Sequence, residues 1–390
     1  MNGPVDWREA RRRSVDAAPA PEVEQVRLGR ALGRVLAEPL VTPIPLPHYA
    51  SSAMDGWAVR GPAPWRVVPS VAATPGAVEP LGPGQARPIV TGGAVPAGAD
   101  AVLRAEAALV EDGRLSPVGD VGRGDVAERR HIRPAGSEAA AGEHLLEPDT
   151  RLTPPCIALA AATGADALPV VRRPRVAIAL TGDEVVESGV PGVGRVRDSF
   201  RVALPAALEA LGAEVVAVDR IADDTDATCA AMLAHAADLV VTTGGTGRSE
   251  ADHVRDALDR LDADLLVPSM AIRPGGPTLL ARAGDRLVLG LPGNPLAAAL
   301  GLVALGGPLL ATWSRVRPPH PVVRSGAPLA GHEGVTGLVP ATVRGDLAMP
   351  TPHAGAAMLR GLARADTVLV IPPGGVRRDE PVEALPLPWA

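Results

Sequence analysis

The sequence contains no lysine, so all 38 basic side chains other than histidine are arginine. Arginine is a planar fork rather than a compact point charge, and a site that needs the latter must be built differently here. An excess of cations is also missing. The formal net charge is −6 over 390 residues, which argues against a nucleic-acid partner bound through phosphate neutralisation. Only two cysteines occur, Cys156 and Cys229, far apart and in no metal-ligand spacing. That usage suits a reducing cytoplasm and gives no structural zinc. The eight histidines are equally scattered, so a His-rich catalytic metal site is not expected.

Targeting and membrane segments are lacking too. Residues 1–19 carry Asp6, Arg8, Glu9, Arg11 to Arg13 and Asp16 around no apolar core, unlike a signal peptide. Leu287 to Ser314 is uncharged, but Pro292, Gly293, Asn294 and Pro295 interrupt it and leave Leu296 to Leu310. That remainder falls short of the roughly 20 residues a bilayer requires. The segment reads as a strand, a turn and a buried helix, with no membrane association and a cytoplasmic location expected.

What is present is ample apolar material, 46% of residues, with 42 prolines and 43 glycines marking many turns. A chain of this length exceeds one compact core and should form several domains. Trp7 to Ala18 reads as a helix and Val26 to Ala37 as a short amphipathic stretch before the proline-rich turn Pro43 to Pro47. From Ala58 to about Gly142 short valine-bearing runs such as Trp65 to Pro69 and Ala101 to Arg104 read as an all-β insertion. After an alanine-rich helix, Cys156 to Thr163, strands and helices alternate. Arg175 to Leu180, Glu214 to Val218, Asp238 to Thr243 and Arg286 to Leu291 read as strands, and Ala203 to Leu211 and Asp226 to Ala236 as helices. Such alternation specifies a mostly parallel sheet with helices on both faces. Beyond Pro318 and Pro319 the helical signal fades, and Thr367 to Ile371 with Val382 to Leu385 suggest a small β-rich terminal domain.

Three strands end in glycine- or oxygen-rich loops: Thr181 to Glu184, Thr243 to Gly247, and Pro292 to Pro295. In an open parallel sheet ligands gather beyond the carboxyl ends of the strands, so these loops should converge on one crevice. Gly244, Gly245 and Gly247 would let backbone N–H groups approach a phosphate, and a helix N-terminus would add favourable partial charge. A tight turn without ligand is an equally good account of such a loop taken alone. Neither the P-loop nor the dinucleotide fingerprint is present. Carboxylates recur beside the glycines at Asp183 and Glu184, Asp223 and Asp224, and Glu250 and Asp252. Singly, about half of them read as helix caps and first-turn acids. Repeated at strand ends, they suit a Mg²⁺ ion lying between acid and phosphate.

Ser52-Ala-Met-Asp-Gly-Trp-Ala58 and Thr91-Gly-Gly-Ala-Val-Pro-Ala-Gly-Ala-Asp-Ala-Val102 resemble the SAMDGYA and TGAPxPxGADAVV signatures of the molybdopterin molybdenumtransferases (the MoeA/gephyrin type). In the same order, His131-Ile-Arg-Pro-Ala-Gly136 is similar to NIRxxG, Thr181-Gly-Asp-Glu184 to TGDEL, Ala271-Ile-Arg-Pro-Gly275 to AIKPG, and Pro292-Gly-Asn-Pro295 to the LPGNP loop. Thr242 to Gly247 with Asp252 resembles the central phosphate loop. The resemblance spans essentially the whole chain. It implies a central three-layer α/β domain of molybdopterin-binding type at 173–317, a β-rich inserted domain at 46–142, and a β-barrel-like C-terminal domain at 318–390. It further implies an N-terminal helical segment at 1–25 and a linking, dimerising domain from 26–45 and 143–172.

The activity implied is insertion of molybdenum from molybdate into adenylylated molybdopterin, with Mg²⁺-dependent release of AMP, by a homodimer whose site draws on two subunits. A molybdopterin adenylyltransferase or a molybdoenzyme would be its protein partners. By motif position the catalytic residues are Asp252, Glu184, Asp223 and Asp55, with Glu184, Asp252 and Asp55 holding metal. Thr91, Gly244, Gly245, Thr246, Gly247, Arg273, Pro292, Gly293 and Asn294 would bind the pterin ligand. Several positions depart from the pattern. Family lysines around AIKPG correspond to Ser269, Arg273 and Gly276, so three cations become one, which should weaken capture of an anion such as molybdate. The NIRxxGED aspartate corresponds to Glu138, a C-terminal serine to Ala356, and the asparagine after Asp198-Ser199 to Phe200. The weakened cation cluster and Ala356 favour a second reading, a non-catalytic pterin carrier or scaffold, whereas the retained carboxylates favour the enzyme. The Thr-Gly-Gly-Thr-Gly loop alone suggests a third, adenylyl transfer to molybdopterin.

Overall fold

The computed structural model describes residues 3–69, 79–127, 129–247, 253–316 and 321–389. The chain divides into two compact units, one made of Met1–Gln25 with Pro169–Ala390 and the other of Val26–Leu168.

The first unit is built on a six-stranded sheet in the order Glu214–Arg220, Arg175–Leu180, Leu239–Thr243, Arg286–Leu291, Leu279–Ala283, Asp264–Val267. The first four strands are parallel, and the last two join antiparallel. The parallel strands carry near-continuous apolar runs, RVAIAL and RLVLGL among them, because both of their faces are covered. Alternate residues of Leu239–Thr243 serve opposite layers. Leu239 and Val241 pack with Leu204, Leu208 and Leu300, whereas Val240 packs with Met232, Val254 and Leu258. Helices therefore lie on both sides, and the unit has three layers. The two antiparallel edge strands and the helix His253–Arg260 have no counterpart in the elements expected from the sequence.

The apolar stretch after Arg286–Leu291 is one helix, Pro295–Trp313, most of it buried in the fold. It runs beyond the expected Leu296 to Leu310 at both ends, and Pro295 starts it rather than interrupting it: proline at the first position of a helix gives up an N–H that has no partner there anyway. Its middle, Leu302–Gly306, widens into a π-helix. Pro308 has no N–H to give Ala304, four residues earlier, and the Arg11 guanidinium donates to that carbonyl at 3.1 Å. Arg11 comes from the helix Trp7–Ala17, whose N-terminus is capped by Asp6 and whose last carbonyl, at Ala17, accepts from Arg282. Burial pushes the Arg11 guanidinium below its ordinary pKa.

The C-terminal part closes on itself. Thr336–Arg344 pairs with Leu347–Pro350 and with Thr367–Ile371, and the circuit is completed through Val322–Ser325 and Pro381–Pro386. This is the small β-barrel expected from the sequence, filled by Val323, Ala341, Leu369 and Ala384 among others.

The second unit carries a six-stranded sheet in the order Ala101–Arg104, Gly56–Val59, Gln85–Ile89, Trp65–Val67, Arg114–Pro117, Ala108–Glu111. Trp65, Leu103 and Leu115 form its core. The expected all-β region also holds a helix, Gly119–Asp125. Its three glycines are poor helix formers, so no periodicity announced it. What fixes its end is Asp125, buried against Arg104 and His131. In Val26 to Ala37 the first two residues end the strand Val23–Arg27, and a single 3₁₀ turn, Leu28–Arg30, follows in place of a longer amphipathic element.

Candidate functional site

Strand order fixes where a ligand can enter. From Arg175–Leu180 the chain moves outward to Glu214–Arg220, then returns to the other side of its starting strand as Leu239–Thr243. The loops leaving Leu180 and Thr243 thus diverge to opposite faces and leave a crevice between them. A cleft of about 540 Å³ lies there, bordered by Thr181, Glu184, Asp223, Gly244, Gly245 and Asn294.

Each wall has a local cause. The Thr181 hydroxyl donates to the Thr243 carbonyl and ties the two loops across the switch point. Gly244 adopts a left-handed φ of 81°, and a Cβ there would lie 2.6 Å from the Thr181 hydroxyl, so only glycine permits the tie. Its amide donates to the Leu291 carbonyl at 2.9 Å, which brings in the third loop. At Asn294 the helix Pro295–Trp313 begins with its N-terminus at the cleft. The amide of Ala297 donates to the carbonyl of Ala356 at 3.1 Å, so the segment carrying Ala357 and Leu359 closes one side.

The acids divide by what holds them. Asp223 accepts from the amides of Gly182 at 2.8 Å and Asp183 at 3.1 Å, so it braces the first loop. Asp224 beside it caps the helix Thr225–Ala234 through the Ala227 amide, as the structural reading of that acid anticipated. Glu184 is exposed at the cleft. Among the described residues no three His, Cys, Asp or Glu side chains are grouped closely enough to hold a metal by themselves. Mg²⁺ sites often use one or two carboxylates and fill the remaining positions with phosphate oxygens and water. Glu184, exposed at the cleft, fits such a site, whereas both oxygens of Asp223 accept from the Gly182 and Asp183 amides.

The sequence did not point to several residues that shape the cleft. Asp198 is buried and paired with Arg220, and Arg220 also donates to the carbonyls of Thr181 and Gly182 at 3.3 and 3.4 Å. His253 borders the cleft, 3.5 Å from the Thr225 hydroxyl. Arg255 donates to the carbonyls of Thr246 at 3.2 Å and Gly247 at 2.9 Å and pins the back of the glycine loop.

These matches decide the family. Family models for the MoeA N-terminal region (domains I and II), a probable molybdopterin-binding domain and the MoeA C-terminal region (domain IV) match residues 5–164, 177–312 and 322–387. The molybdopterin molybdenumtransferase of Bacillus subtilis is 34% identical over 336 residues, 82% of this chain and 76% of that one. The chain belongs to the molybdopterin molybdenumtransferase family. The molybdopterin molybdenumtransferase of Synechococcus elongatus is also 34% identical, over 76% of this chain and 77% of its own. Among solved structures, the molybdopterin biosynthesis MoeA protein from Pyrococcus horikoshii is similar throughout. It has a TM-score of 0.80, 27% identity and 99% coverage of both chains.

Of the residues that family motifs single out, Glu184, Asp223, Gly244, Gly245, Gly293 and Asn294 border one cleft. Thr246 and Pro292 are buried, and they, Gly247 and Arg273 do not line it. Arg273 is exposed on the short strand Ile272–Arg273, which pairs with Thr336 and Gly337. Asp252 and Glu250 lie outside the described residues. Asp55 and Thr91 come together within the second unit, where Asp55 Oδ1 accepts from the Thr91 amide at 2.6 Å and its hydroxyl at 2.8 Å. Those two hydrogen bonds hold the Asp55 carboxyl below its ordinary pKa. Gly56 follows because a Cβ there would overlap the Leu103 carbonyl of the neighbouring strand.

Proposed function

We propose that the protein inserts molybdenum from molybdate into adenylylated molybdopterin, with Mg²⁺-dependent release of AMP, acting in the cytoplasm as a homodimer. A role in molybdenum cofactor biosynthesis follows from its family. The observation that carries the finer reading is the meeting of three strand-end loops with Glu184 and Asp223 at one cleft. Phosphate oxygens of the substrate lie against the Gly244–Gly245 turn and the helix N-terminus after Asn294, where backbone N–H groups and the helix dipole favour an anion. Asp223 keeps the Thr181–Asp183 loop in place, and Arg220 with Asp198 supports it from beneath. Glu184 and Asp252 would hold Mg²⁺, which would neutralise the phosphate oxygens and polarise the phosphoanhydride.

The purified protein, given adenylylated molybdopterin, Mg²⁺ and molybdate, should release AMP and activate a cofactor-free molybdoenzyme. Binding without AMP release would instead support the carrier reading, and activity from molybdopterin and ATP alone the adenylyl-transfer reading. Asp55 and Thr91 join this proposal through the homodimer. Dimers mixed from inactive Asp55→Asn and inactive Asp252→Asn chains should recover about a quarter of the activity, because half of the dimers then carry one intact site. No recovery in the mixture would remove the shared-site model.

A further inference from the structure

Among the described residues that border the cleft, two are arginines, Arg197 and Arg220. Arg220 is spent on the protein itself. It pairs with the buried Asp198, stands 3.5 Å from Glu187, and donates to the carbonyls of Thr181 and Gly182. The arginines on either side of Arg197 are engaged as well: Arg195 donates to the Asp183 carbonyl, and Arg201 lies 3.6 Å from Glu187. Arg197 differs. It is exposed, and its guanidinium makes one hydrogen bond, at 3.3 Å to the Val186 carbonyl. No carboxylate among the described residues pairs with it, so most of its five N–H donors are unspent.

The backbone fixes where this fork stands. The two-residue strand Val196–Arg197 runs parallel to Val185–Val186, with Arg197 opposite Val186. The Val196 amide donates to the Glu184 carbonyl at 3.1 Å, and the Asp198 amide to the Val186 carbonyl at 2.9 Å. Arg197 therefore continues the wall that carries Glu184, not the one built by the Gly244 turn and Asn294.

We propose that Arg197 captures the free oxyanion substrate, molybdate, an inference that rests on the insertion reading above. A tetrahedral dianion presents an edge of two oxygens that a guanidinium binds through two parallel N–H bonds. The substrate phosphate has the same shape, but backbone amides and a helix N-terminus on the other wall already suit it. Arg273 does not line the cleft, and the chain has no lysine to offer. Arg197 is thus the guanidinium available to a second anion.

The test titrates molybdate into the full-length protein by calorimetry, with AMP as the second arm. Arg197→Ala should weaken molybdate binding about tenfold or more and leave AMP binding unchanged. Arg197→Lys keeps the charge without the fork and should recover part of the loss. In turnover the loss should appear as a raised KM for molybdate with the KM for adenylylated molybdopterin unmoved, a split that a general disturbance of the cleft would not give. Unchanged molybdate affinity in Arg197→Ala, or a loss shared equally with AMP, would overturn the assignment and leave the phosphate-cleft reading standing. Failure of the unaltered protein to bind molybdate would overturn it as well. Molybdate bound through Arg197 with no AMP released from adenylylated molybdopterin would overturn the insertion reading and keep Arg197 as an oxyanion site.

Discussion

Asp125 in the β-rich unit and Asp223 in the α/β unit are both fully engaged carboxylates, but with opposite consequences. Asp125 is 1% exposed and receives Arg104 at 2.8 and 3.1 Å and His131 at 2.8 Å. Burial pushes its carboxyl up, but hydrogen bonds from Arg104 and His131 outweigh that and hold it at about 2. Asp223 is held by two neutral amides. A guanidinium cancels the charge of the acid it binds, whereas an amide orients the acid and leaves the charge available. The donors, not the number of hydrogen bonds, set the two apart: Asp125 is paired with Arg104 and His131, whereas Asp223 accepts from neutral amides, as does the helix-capping Asp224. Asp55, held by the amide and hydroxyl of Thr91, likewise accepts from neutral donors.

The contrast can be broken by substitution. The largest effect is expected at Asp252, where Asn should lower AMP release by about a hundredfold or more with the melting temperature unchanged. Unchanged turnover would remove this acid from the mechanism. Asp125→Ala should cost about 3 kcal/mol in urea unfolding, because it leaves Arg104 and His131 beside an unfilled, buried position. If stability survives, the ion pair is dispensable and the comparison loses its structural arm. Asp223→Asn should show the reverse profile: AMP release falling about tenfold, and stability by no more than about 1 kcal/mol. The smallest effect is a pH dependence. The Asp125 carboxyl is lowered in the folded state, so its contribution is present above the unfolded value of 3.8 and is lost as pH falls toward about 2. In Asp125→Asn the acid limb of the stability curve should flatten over that window.

Legibility in the sequence followed the range of the interactions. Arg175–Leu180 and Arg286–Leu291 could be bounded residue by residue, since a buried parallel strand is an unbroken apolar run closed by glycine or proline. The loops that converge on the cleft were readable because three strands of one parallel sheet end in them, and the carboxyl ends of such strands lie on one edge. Arg220 and Arg255 were not. An arginine at a strand end or on a helix looks like a solvated side chain until its partners are known, and those of Arg220 stand 22 to 39 residues away. The helix Gly119–Asp125 was hidden for a related reason: its stabilising contact is an ion pair made elsewhere in the fold, not a pattern within the segment.

Arg11 turns the first helix from an appendage into a structural plug. Its guanidinium satisfies an acceptor in the interior of Pro295–Trp313, and the leading end of that same helix borders the cleft. Deleting the amino-terminal segment would strand a carbonyl in the hydrocarbon interior. Damage at one extremity of the chain would then reach the cleft, without any residue there having been altered.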